Sequence, residues 1–174
     1  MPELNLSKDS TYYQYTLVRK YSVPRLFSIL YALLLAAVCA LFVVRFGQAG
    51  IYAVVAAGIG VPLLHTTIAR IYRRLSGRSQ DAWSFRFASP WAGFLPDGHC
   101  PYRRCLRMLH QISFLGAALL ALIYVWGPPE YAACGLLVHA WIILPHYALA
   151  PVFLRLKPGG LIRYGKREAA YYMP

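Results

Sequence analysis

Acidic side chains are nearly missing from this sequence: six Asp and Glu stand against 18 Lys and Arg in 174 residues. That shortage removes most chemistry that needs paired carboxylates, whether for acid–base transfer or for holding divalent metals. No Ser-His-Asp arrangement, glycine-rich phosphate loop or dinucleotide fingerprint makes up for it. The reading therefore leans away from an enzyme. Cysteine is also sparse, and four thiols do not make a disulfide framework in so apolar a chain. Zinc-finger spacing, RNP-type aromatic motifs and heptads are lacking as well. The net charge of +12 falls between apolar runs rather than on a soluble face, which excludes nucleic acid as partner.

Apolar residues, by contrast, make up 59% of the chain, above the usual share of about 45–50%. They gather in four runs at residues 26–44, 51–69, 109–126 and 131–154. The first has nineteen residues without a charge, and at about 1.5 Å per residue it covers most of a hydrocarbon layer about 30 Å thick. It follows about 25 more polar residues, so it reads as a retained signal anchor rather than a cleaved leader. Backbone groups left unpaired in lipid cost several kcal/mol each, and no ten-residue alternation points to a barrel. The expected fold class is an all-α polytopic integral membrane protein, its four transmembrane helices arranged as two antiparallel hairpins. Pro62, Pro145 and Pro151 are expected to bend their helices. Small residues four apart, such as Ala53 and Ala57 or Ala117 and Ala121, would let helices approach closely.

The basic residues divide unevenly about these runs. Lys8, Arg19, Lys20 and Arg25 precede the first, a set from Arg70 through Arg78 and Arg86 to Arg107 separates the second from the third, and Arg155 to Arg167 follow the fourth. Arg45 alone falls on the other side. By the excess of Lys and Arg in cytosolic segments, both termini and the long loop are expected in the cytosol, at the plasma (inner) membrane rather than an organelle membrane. This gives a cytosolic tail at 1–25, a hairpin at 26–70, an interfacial loop at 71–108, a second hairpin at 109–154 and a cytosolic tail at 155–174.

The loop is too aromatic for a flexible linker. Trp83, Phe85, Arg86, Phe87, Trp91 and Phe94 suit an anionic headgroup region or a partner surface. The alternation of Trp83, Phe85 and Phe87 also fits a strand, but without an evident partner. The tails add Tyr12 and Tyr13 and, near the end, Tyr164, Tyr171 and Tyr172, the ring and cation mixture of interface anchors.

Histidines within apolar helices are functional candidates. Counted along the runs, His65, His110 and His146 fall toward the cytosolic side, and His139 stands alone in the outer half. A single b-type haem clamped by His146 with His65 or His110 is the cofactor these positions would permit; no cofactor is otherwise expected. His99, Cys100 and Cys105 offer a candidate metal set. Together these features point to a small non-catalytic membrane subunit or scaffold. Its expected partners are anionic cytosolic-leaflet lipid and protein subunits or further copies of the chain. The alternatives are a haem-binding electron-transfer anchor and an oligomeric transporter of small molecules or lipid.

Overall fold

The computed structural model describes residues 15–77 and 82–174. Lys8, Tyr12, Tyr13 and Arg78 lie outside the described residues. Three helices carry the apolar runs: α1 (Arg25–Leu75), α2 (Tyr102–Trp126) and α3 (Pro129–Leu154). Each is long and apolar enough to cross a membrane. Six strands accompany them: β1 (Thr16–Ser22), β2 (Trp83–Arg86), β3 (Gly93–Pro96), β4 (Cys100–Pro101), β5 (Leu161–Tyr164) and β6 (Glu168–Met173). This overturns the expected all-α protein of four transmembrane helices. The first two apolar runs belong to one helix, and the loop and tails form antiparallel sheets.

Proline and glycine set the helix limits. Pro24 precedes α1, while Pro128 and Pro129 open α3, where a missing N–H costs nothing. Gly77, at φ 65°, closes α1 as its N–H bonds the Arg74 carbonyl. A straight helix of 51 residues would run about 76 Å, more than twice a hydrocarbon layer of about 30 Å. Gly47 prevents this, since its φ of 58° and ψ of −129° are open to glycine and interrupt the helical path. Beyond it the second arm returns along the first, with Gly50 set against the Phe42 backbone.

Much of the first arm faces away from the protein: Leu33 is 58% exposed, Leu41 66% and Val44 83%. In water this would be an aggregation-prone patch; hydrocarbon removes the cost.

One sheet, ordered β1-β6-β5-β4, gathers the helix ends. β1 leads directly into α1, β4 into α2, and α3 returns through residues 155–160 to β5. In the β1–β6 register Thr16 faces Met173 and Ser22 faces Glu168, with a bulge between Leu17 and Arg19. The second sheet is the β2–β3 hairpin, in which Phe85 faces Phe94. The strand read from Trp83 and Phe85 thus finds its partner within the same loop.

Packing follows this plan. Phe153, Ile162, Tyr171 and Trp91 fill the space between the four-stranded sheet and the helix ends. Ala53, Ala57, Cys134 and Val138 join α1 to α3, and Phe94 reaches between Ile68, Met108 and Ile143.

Candidate functional site

Among the described residues the buried polar side chains are three histidines and Ser28 near the start of α1. His65 of α1 is 1% exposed, and His139 and His146 of α3 are 5% and 6% exposed. His65 Nε2 lies 2.7 Å from His139 Nδ1, and His139 Nε2 lies 3.2 Å from the Ser113 carbonyl of α2. A carbonyl only accepts, so His139 carries its proton on Nε2. In a neutral pair its Nδ1 then accepts from the Nε2–H of His65. This chain of two bonds ties all three helices together. His146 separately donates from Nε2 to the Ala92 carbonyl at 2.8 Å, fixing the loop before β3 to α3. On the exposed side, the Tyr147 hydroxyl bridges His110 Nδ1 at 2.7 Å and Ser113 Oγ at 3.1 Å.

His139 is therefore not isolated at a depth of its own. α1 runs on through Arg70, Arg73 and Arg74 to Leu75, so His65 lies ten residues inside the helix end rather than near it. Counting inward from the last apolar residue places it too shallow.

Among the candidate haem ligands, His65, His110 and His146 make no hydrogen bond to one another; each is held in a different group. The 2.7 Å between His65 and His139 is short of the roughly 3.3 Å between two nitrogens on a tetrahedral metal, and shorter still than the roughly 4 Å of a trans pair. His65 and His146 do share a cavity of about 40 Å³, bounded also by Trp83, Phe94, Cys105 and Tyr164. It has room for about two or three water molecules, not for a macrocycle. Burial pushes the Tyr164 phenol well above its ordinary pKa, so its hydroxyl stays protonated.

In the candidate metal set, His99 stacks on Tyr15 and meets Tyr172 edge-on, with ring centroids 4.7 and 4.8 Å away. Cys100 Sγ donates to the Pro101 carbonyl at 3.7 Å, and Cys100 and Cys105 are both buried. Among the described residues no group of three His, Cys, Asp or Glu side chains is placed to hold a metal ion.

The aromatic set divides. Trp91, Phe94, Tyr164 and Tyr171 are buried within the protein. Trp83, Phe85 and Tyr172 are half-buried, and Phe87 stands 79% exposed at the end of β2. Arg86 acts inside the protein as a clasp: Nη1 donates to the Tyr164 carbonyl at 2.9 Å and Nη2 to Asp97 at 3.0 Å. Ser84 also donates to Asp97. These bonds, the Ser84 hydroxyl first and Arg86 next, hold the Asp97 carboxyl below its ordinary pKa. Such a depressed carboxylate contributes stability that is present above its unfolded value of about 3.9 and lost as pH falls through the lower folded value. A carbonyl NMR titration of Asp97 is expected to show a midpoint below 3.9, and Arg86→Gln should raise it; a midpoint at or above 3.9 would refute the clasp.

Sequence reading did not find the His65–His139 pair or the Arg86–Asp97 clasp. The seven-residue spacing of His139 and His146 on one α3 face was the available signal for the first. The chain matches no protein family, no curated protein and no solved structure.

Proposed function

We propose that this chain is a small non-catalytic membrane subunit, both termini cytosolic at a plasma (inner) membrane. It works through helix packing and through contacts of its basic end with anionic lipid and partner proteins. One observation carries the reading. The four-stranded sheet draws the ends of all three helices to one end of the bundle, and every described Lys and Arg except Arg45 lies there. That end offers two described acids, Asp97 and Glu168, already engaged by Arg86 and Lys20. The cations that remain suit an anionic leaflet, where each contributes about 1 kcal/mol of attraction. The buried histidines support the same reading, because their hydrogen bonds are spent on joining the helices and tying the loop before β3 to α3.

Purification in gentle detergent followed by mass spectrometry tests it. The expected result is a stoichiometric partner protein together with anionic phospholipid. A lone monomer carrying only neutral lipid would overturn the proposal. A reporter fused after Pro174 is expected to be active in the cytosol, and activity on the far side would reverse the orientation.

A further inference from the structure

We infer that the basic end holds one anionic phospholipid in a discrete site, its phosphate against Arg25, Lys166 and Arg167 and an acyl chain in the groove between the first arm of α1 and α3. This rests on the reading that the basic end meets an anionic leaflet. Three hollows run end to end along that path. The outermost, about 450 Å³, is framed by Arg25 on one side and by Lys166, Arg167 and Glu168 on the other. It shares Val23 and Pro24 with a second of about 170 Å³, where Phe27, Trp91 and Leu149 make the wall apolar. Pro90 is common to the second and to a third of about 250 Å³, which Tyr31, Leu35, Gly58 and Trp141 enclose.

On α3 the wall residues are 152, 149, 148, 145, 142, 141 and 138. Each has a neighbour in the set three or four residues away, so together they make one stripe along the helix. From 152 to 138 it covers about 21 Å at 1.5 Å per residue, enough to follow a chain through one leaflet of about 15 Å. The cations lie at one end of this stripe, and its sides carry no charge. Glu168 is occupied by Lys20, whereas Arg25, Lys166 and Arg167 are exposed and make no ion pair among the described residues.

Charge and shape together select the occupant. A free anion would satisfy the cations and leave the groove unused; a neutral lipid would do the reverse. An amphiphile with an anionic head and a single chain to insert satisfies both. The groove wall also contains a hydrogen-bond donor without an acceptor, since Trp91 is 3% exposed and its indole N–H has no partner among the described residues. At Gly58 an added Cβ meets nothing within 4 Å, so a larger side chain there would fill the groove without disturbing the helices.

Because Trp91 and Trp141 wall the groove, bromine on an acyl chain reports occupancy by quenching their fluorescence. Full-length protein would be placed in phosphatidylcholine nanodiscs containing a small fraction of chain-brominated phosphatidylglycerol or chain-brominated phosphatidylcholine. Phosphatidylglycerol is expected to bind the quenching site about fivefold more tightly, an excess that one surface cation can supply. Arg25→Gln/Lys166→Gln/Arg167→Gln should abolish the excess, and Gly58→Leu should reduce quenching by both lipids. Arg103→Gln/Arg107→Gln/Arg163→Gln, an equal loss of exposed charge elsewhere on the same end, should preserve it. Equal loss in the two triple variants would overturn the discrete site and leave the lipid-facing basic end standing. No preference in the unaltered protein would overturn both. Removal of the excess by inorganic phosphate would show an anion site and overturn the lipid.

Discussion

Gly50→Ala is expected to destabilise the protein by about 3 kcal/mol, whereas the same change at Gly58 should stabilise it by up to about 1 kcal/mol. Both glycines lie in the second arm of α1, where alanine is the better helix former, and propensity alone predicts a gain at each. Their surroundings differ. A Cβ at Gly50 would overlap the carbonyl oxygen of Phe42 and crowd Val43 Cα, all backbone of the opposing arm. Backbone cannot rotate out of the way, so the arms would separate and lose the contacts that follow the reversal at Gly47. At Gly58 the added methyl meets nothing. Melting temperatures in detergent would separate the effects, at about 2–4 °C per kcal/mol for a chain of this size. Shifts of the same sign at both positions would show that the arms are not in backbone contact.

The same reversal shows what the sequence discloses and what it hides. Long uncharged runs are a local property, and the three helices follow them. Gly47 was legible as one residue of a short polar interruption, but the tight reversal there, with Gly50 against the Phe42 backbone, was not, because it depends on φ and ψ rather than hydropathy. The strands were harder. β1 and β6 are separated by nearly the whole chain, so neither tail contains the other's register. β3, with glycine at one end and proline at the other, has little strand character on its own. Of the small-residue stripes, Ala53 and Ala57 are buried between α1 and α3, while Ala32, Ala36 and Ala40 are exposed. Which stripe meets a neighbour is a tertiary fact.

The sheet also changes the meaning of a truncation. Removing residues 160–174 takes out β5 and β6, the two central strands of the order β1-β6-β5-β4. It would empty the core around Ile162 and Tyr171 as well as shorten a basic tail. Exposed charges such as Lys166 and Arg167 are the positions that separate docking from folding, since neither side chain is part of that core.

Gly116→Ala should lower stability by about 2–4 kcal/mol, acting through the histidine pair rather than through α2 itself. A methyl at this position would press into the His139 ring, 3.0 Å from Nδ1 and closer still to Cε1. His139 cannot retreat far, because its two nitrogens are fixed by His65 at 2.7 Å and Ser113 at 3.2 Å. Displacing the ring leaves the His65 N–H buried without an acceptor, a penalty of about 1–3 kcal/mol that adds to the overpacking. Helix propensity opposes this by only about 1 kcal/mol and does not reverse the sign. His139→Ala should cost a similar amount by orphaning the same donor, although polar pairs between membrane helices average nearer 0.6 kcal/mol. The decisive variant is the double one. If the clash operates through the ring, Gly116→Ala in the His139→Ala background meets open space, and the pair should be no less stable than His139→Ala alone. Additive losses in that cycle would place the damage elsewhere on α2 and remove the pair as the joint between the three helices.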